Sequence, residues 1–162
     1  MSPEQYKKIY DWFTARPAAL QLLRLVTKGL PLVVAGSYGI LLAGVVWQGS
    51  PLFWRTLLVP AVLFVGGTAL RGWRNAPRPY EKGITPLIPK DLTGQSWPSR
   101  HSVAAGVIAA AWLVNCPAVG AVVTVLALCI AVSRVLAGVH SVWDVTAGLL
   151  LGFVGGLAGM LL

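Results

Sequence analysis

Five apolar runs, each long enough to cross about 30 Å of hydrocarbon at 1.5 Å per helical residue, leave this chain few ways to fold. They lie at approximately Leu30 to Gln48, Leu52 to Leu70, Ser99 to Val114, Ala118 to Leu136 and Trp143 to Leu162. In hydrocarbon every backbone N–H and C=O must be satisfied within the protein, so such runs become helices. The expectation is an all-α integral membrane bundle with five transmembrane helices. Hydrophobic residues are 56% of the chain and charged ones 11%, a balance that excludes an ordinary soluble domain.

Ahead of the first run, Ser2-Pro3-Glu4-Gln5 has the pattern of an N-cap, a first-turn proline and a capping-box partner. Tyr6, Ile9, Tyr10 and Phe13 then share one helical face. Pro17 breaks or restarts the helix, and a second piece sets Leu20, Leu23 and Val26 against Gln21, Arg24 and Lys28 before stopping at Gly29. Residues 1–29 are therefore read as an amphipathic helix, or kinked pair, at the lipid interface, and residues 30–162 as the membrane-embedded core. The other reading makes this segment a sixth, short, tilted span whose charges snorkel. No cleavable signal peptide is expected, because the first apolar run follows a long polar start.

The connections Gln48-Gly-Ser-Pro51 and Asn115-Cys-Pro117 are short, so spans one and two, and three and four, form antiparallel hairpins. Gly148, Gly152 and Gly156 recur every four residues in the last span, a spacing that lets helices approach closely. Packing within the bundle is the expected use; a homodimer face is the alternative. Residues 71–98 differ from the other connections: they are polar and carry prolines at 77, 79, 86, 89 and 98. The prolines restrict the chain, and Trp73, Tyr80 and Trp97 suit a membrane interface, so an ordered cap loop over the bundle is expected.

This topology gathers the charge. The ends at Leu70, Ser99, Leu136 and Trp143 fall on one membrane face, bringing together Arg71, Arg74, Arg78, Arg100, His101, Arg134, His140 and Asp144 and leaving Arg55 on the other. Ionisable groups at the edge of a hydrocarbon span are costly and mark function. The net charge of +8 is carried at span ends and in one loop, without an aromatic-rich soluble surface, so membrane lipids rather than nucleic acid are the expected partners. Cys116 and Cys129 lie far from any CxxC spacing and read as small apolar residues.

Arginines stay ionised and match phosphate oxygens bidentately, so this cluster suits a phosphate. No carboxylate-rich metal cluster is available: Glu4 and Asp11 belong to the N-terminal helix, Glu81 and Asp91 to the cap loop, and Asp144 stands alone. Neither a metal nor another cofactor is expected. Gly138 separates Arg134 from His140, and Ser141-Val-Trp-Asp144 has capping-box spacing, which sets Asp144 in the first turn of the final helix with His140's ring N–H in reach. Pro98-Ser99-Arg100-His101 opens the third span, where free amides attract an anion. Ser99 reads as an N-cap, or as a ligand of that anion.

Arg71-x6-Arg78-Pro79, then Pro98-Ser99-Arg100-His101, then Ser133-Arg134-x5-His140-x3-Asp144 together resemble the three-part signature of the type 2 phosphatidic acid phosphatase family. The resemblance implies His140 as the nucleophile, passing through a phosphohistidine, Asp144 as the carboxylate that orients it, and His101 as the general acid. It implies Arg71, Arg78, Ser99 and Arg134 as the phosphate cradle, and Arg100 is expected to bind the phosphate with them. Arg71 stands where the family usually has lysine, and Arg100 where it usually has glycine.

The activity so implied is metal-independent hydrolysis of the terminal phosphate of a lipid phosphate or diphosphate: phosphatidic acid, phosphatidylglycerol phosphate or a polyprenyl (di)phosphate. A haloperoxidase shares the constellation, but apolar spans argue against it. A binding or transport protein that keeps the site without turnover is the non-enzymatic alternative. The resemblance places the protein in a bacterial cell membrane with an extracytoplasmic site, and a crossing first helix would agree; positive charge counted with a non-crossing helix favours the cytoplasm.

Overall fold

The helix Arg100–Asn115, α4, is the axis of the bundle. It is rich in alanine, and Ala109, Ala110 and Ala111 are fully enclosed because their small side chains let neighbouring helices close on them. Around it pack α2 (Pro17–Trp47), α3 (Phe53–Arg74), α5 (Pro117–Leu136) and α6 (Val142–Leu161). The computed structural model describes residues 2–162, and its regular elements are all helical: α1 (Pro3–Thr14), these five, and a short 3-10 turn at Pro79–Lys82. The four outer helices are long and apolar enough to span a membrane. The 16 residues of α4 reach roughly 24 Å; enclosed by its neighbours, it presents little surface to lipid.

The glycine line of α6 packs within the bundle. A Cβ on Gly152 would lie 2.2 Å from the Val103 carbonyl oxygen of α4, and one on Gly156 2.8 Å from Ala110 Cβ. A π turn at Leu150–Val154 falls in this contact. Lipid-facing surface is left to residues such as Leu32, Ile40, Val62, Val65, Val122 and Val125. Exposed tryptophans mark the two ends, Trp47 and Trp54 at one and Trp12, Trp73 and Trp143 at the other, as in an interfacial aromatic belt.

The expected break at Gly29 is absent. Leu23, Thr27, Val34, Leu41 and Val45 form one buried stripe at helical spacing along α2, running through Gly29 and Pro31. Burial along that stripe outweighs the roughly 1 kcal/mol that glycine costs in a helix. Pro31 has no N–H, so the Thr27 carbonyl loses its intrahelical donor; the Arg134 guanidinium supplies one, Nη2 lying 3.0 Å from that oxygen. Pro60 in α3 does the same for the Thr56 carbonyl, which accepts from the Tyr38 hydroxyl at 2.9 Å.

The capping box of Ser2 and Gln5 forms as the sequence indicates. The 12 residues of α1 reach only about 18 Å and do not cross a membrane. Instead α1 is pinned to the charged end of the bundle by Tyr6, whose hydroxyl donates to the Leu136 carbonyl at 2.9 Å and accepts from the Leu87 N–H at 3.3 Å. Tyr6 is 1% exposed, and burial pushes its phenol up to about 12, so it stays a neutral donor. Arg55, at the other end, donates to the carbonyls of Met160 and Leu162.

Candidate active site

α5 stops at Leu136 because the chain turns at Gly138, whose φ of +76° is open to glycine at little cost. The Val139 and His140 amides fold back on the Arg134 carbonyl at 3.3 and 3.4 Å. Ser141 then caps α6: its hydroxyl accepts from the Asp144 amide at 3.2 Å while Asp144 Oδ2 accepts from the Ser141 amide at 2.7 Å. The capping box thus holds Asp144 beside His140, as the spacing indicates. Their contact is looser than expected: His140 Nδ1 and Asp144 Oδ2 are 3.7 Å apart, beyond hydrogen-bonding range. The Ser96 hydroxyl stands with them, 2.7 Å from Asp144 Oδ2 and 3.4 Å from His140 Nδ1.

The N-terminus of α4 meets this turn, the Ser99 amide donating to the Asp144 carbonyl at 2.9 Å. Ser99 is the N-cap residue by position, yet its side chain makes no capping bond. Its Oγ is buried and unpartnered, as are the neighbouring Ser102 Oγ, Arg78 Nη1 and Arg134 Nε. A buried polar group without a partner costs about 1–3 kcal/mol; with Arg78 and Arg71 within electrostatic reach of His140, and Arg134 within reach of His101, these unsatisfied groups make a candidate site for an anion. Arg78 is fixed by Nε donating to the Gly94 carbonyl at 2.9 Å, and Arg134 by the Thr27 carbonyl. Arg71 is buried with Nη1 3.5 Å from the Pro98 carbonyl. His101, half-buried in the first turn of α4, is within electrostatic reach of Arg134, Lys90, His140 and Arg100. The Arg100 side chain is exposed, at the rim of the cluster.

His140 is 4% exposed, and burial pulls its imidazole below the ordinary value, with Asp144 opposing and Arg78 and Arg71 reinforcing the fall. Burial thus favours the neutral ring. A cavity of about 480 Å³ reaches His140, Ser141 and Asp144 from the side of Tyr6, Trp97 and Trp143; Arg71, Arg78, Ser99 and Arg134 are not in its lining.

The cap loop closes over this end as an ordered structure. Glu81 accepts from the amides of Arg78, at 2.6 Å, and Gly94, at 3.0 Å. Asn75, in the left-handed conformation that ends α3, accepts from the Gln95 amide at 3.1 Å. Three residues of the site escape sequence reasoning. Ser96 lies in an irregular loop whose depth no periodicity reports. Lys90 is half-buried, and its ammonium is pulled below the ordinary value by burial and then by Arg134, Arg78, Arg71 and Arg100, which places it within electrostatic reach of those arginines. Tyr6 reads as one apolar position among four, and only the fold reveals its two hydrogen bonds. Among the described residues no three His, Cys, Asp or Glu side chains are grouped to hold a metal.

A helical membrane bundle with a buried histidine–aspartate pair, a second histidine and a cradle of arginines belongs to the class of integral membrane phosphate-handling proteins. Residues 52–162 match the PAP2 superfamily, and the chain belongs to that family. Its fold is similar to that of a transmembrane PAP2-type phosphatidylglycerolphosphate phosphatase from Bacillus subtilis, with a TM-score of 0.72 and 24% identity over 96% of this chain and 83% of that one. Aquifex aeolicus LpxE is also similar, with a TM-score of 0.64 and 23% identity over 88% of this chain and 94% of that one. No curated protein matches the chain in sequence.

Proposed function

We propose that the protein is a metal-independent phosphatase that removes the terminal phosphate of a lipid phosphate or diphosphate. The observation that carries this reading is the set of buried, unsatisfied groups on Ser99, Arg78 and Arg134 at the end of the bundle that holds the buried His140. Phosphoryl transfer asks chiefly for positioning and for charge to meet the equatorial oxygens, and fixed guanidinium groups supply both. The Nε2 lone pair of His140 attacks phosphorus as the P–O bond to the lipid breaks, and His101 gives its proton to the departing oxygen. Water then attacks the phosphohistidine, the P–N bond breaks to return a neutral His140, and His101 recovers a proton from that water. Arg71, Arg78, Arg134 and Ser99 hold the phosphate throughout. The apolar helical bundle around the site supports a substrate on an acyl or polyprenyl tail, phosphatidic acid, phosphatidylglycerol phosphate or a polyprenyl (di)phosphate, and one structural relative is a phosphatidylglycerolphosphate phosphatase.

The test is phosphate release by the detergent-purified protein across those lipids with EDTA present. Release that survives the chelator is expected; silence on every lipid would overturn the reading in favour of binding or transport.

We also infer that the site faces the cytoplasm. The family resemblance implies an extracytoplasmic site, with which a crossing first helix would agree; α1 instead docks on the site end through Tyr6. Lys7, Lys8, Arg16, Arg24, Lys28, Arg74 and Lys82, none of them in the cradle, all lie toward that end, while Arg55 alone marks the other. Positive charge flanking spans is retained on the cytoplasmic side. With Cys116 and Cys129 replaced by alanine, Thr93→Cys in intact cells should react only with a membrane-permeant maleimide. Labelling by an impermeant one would place the site outside.

A further inference from the structure

Ser96 occupies the gap between the two members of the catalytic pair. The 3.7 Å between His140 Nδ1 and Asp144 Oδ2 is too long for a direct hydrogen bond, while the Ser96 hydroxyl lies 2.7 Å from the carboxylate and 3.4 Å from the ring nitrogen. A hydroxyl has one proton to give and lone pairs to receive another, and an ionised carboxylate only accepts. The hydroxyl proton therefore goes to Asp144 Oδ2, which also takes the Ser141 N–H. What remains on Ser96 Oγ is a lone pair, and the group facing it is His140 Nδ1. Only one tautomer satisfies this arrangement, with the proton on Nδ1 and the free pair on Nε2.

The hydroxyl has little room to do otherwise. Ser96 is 0% exposed, and its amide donates to the Ala76 carbonyl at 2.8 Å, just beyond the left-handed Asn75 that also takes the Gln95 amide. Ser96 belongs to the cap loop, whereas His140 and Asp144 belong to the α5–α6 turn and to α6. The loop is thereby part of the machinery that sets the nucleophile.

We propose that Ser96 is a positioning residue that relays Asp144 to His140, fixing the Nδ1–H tautomer and so leaving Nε2 free to attack. This rests on the phosphatase reading above. The relay also serves the intermediate: once Nε2 is bonded to phosphorus the ring is cationic, and its Nδ1 proton points at an oxygen polarised by a carboxylate.

Ser96→Ala and Ser96→Cys separate the hydroxyl from its volume, since cysteine fills the space but is a weak donor and acceptor. Both are expected to lower kcat about 10- to 100-fold, the usual cost of losing the partner that orients a functional histidine. KM and inhibition by inorganic phosphate should stay within about threefold, because the cradle is untouched. Ring ¹⁵N NMR of His140, one of two histidines, should show Nδ1–H dominant in the native protein and a mixed tautomer population in both variants.

Native kcat in Ser96→Ala, full rescue by Ser96→Cys, or an unaltered tautomer in the variants would each overturn the relay. If the native protein releases no phosphate from any lipid, the phosphatase reading fails, and the ring spectra still decide whether Ser96 sets the tautomer.

Discussion

Replacing His140 by alanine is expected to abolish phosphate release, with a loss on the order of 10⁴-fold or more, because the nucleophile proposed above has no substitute in the site. Binding of inorganic phosphate should persist, since the unsatisfied groups of Ser99, Arg78 and Arg134 do not depend on the imidazole. Loss of turnover with binding retained therefore separates the nucleophile from the cradle. The native enzyme's pH profile gives a second readout. Burial lowers the His140 pKa, so the neutral, nucleophilic ring persists to more acid conditions than a free imidazole allows. The acid limb of kcat/KM that reports this ring should then lie below the ordinary histidine value of about 6.5. Turnover by His140→Ala at the native rate would refute the assignment.

The spans and the motif residues were legible in sequence for different reasons. Apolar length fixes α3, α5 and α6 to within a few residues, because nothing but a helix satisfies its backbone in hydrocarbon. The Ser141–Asp144 capping box was legible because capping is local chemistry with fixed spacing. The break expected at Gly29 does not occur, because the local cost of glycine was weighed without the stripe from Leu23 to Val45, and because the donor that lets the helix run on through Pro31 is Arg134, distant in sequence. Likewise the direct His140–Asp144 bond followed from spacing alone, while the group that stands between them comes from a loop whose path spacing does not encode. Arg100 lies within the motif, between Ser99 and His101; its side chain is exposed yet stays within electrostatic reach of Arg71, Lys90 and His101.

Gly138→Ala tests how far the turn that carries His140 depends on the N-terminal helix, a segment outside the 52–162 region shared with the family. An added Cβ meets the Tyr6 hydroxyl at 2.5 Å, its Cζ at 2.8 Å and the Pro86 Cα at 3.0 Å, at a backbone φ of +76° that a side chain rarely adopts. The left-handed conformation costs about 1 kcal/mol or more outside glycine, and overpacking adds roughly 1–3 kcal/mol. Relief comes either by moving the turn that carries His140 or by expelling Tyr6 from its bonds to Leu136 and Leu87. A displacement of about 1 Å at a reacting group costs on the order of 10²-fold in rate. Gly138→Ala is accordingly expected to lower both the melting temperature and kcat, and Tyr6→Ala in the same chain should return part of the kcat by vacating the space that the new methyl group needs. The melting temperature should not recover with it, because α1 has then lost its anchor. If the double variant is as slow as Gly138→Ala alone, backbone strain and the Pro86 contact, rather than Tyr6, govern the placement of His140.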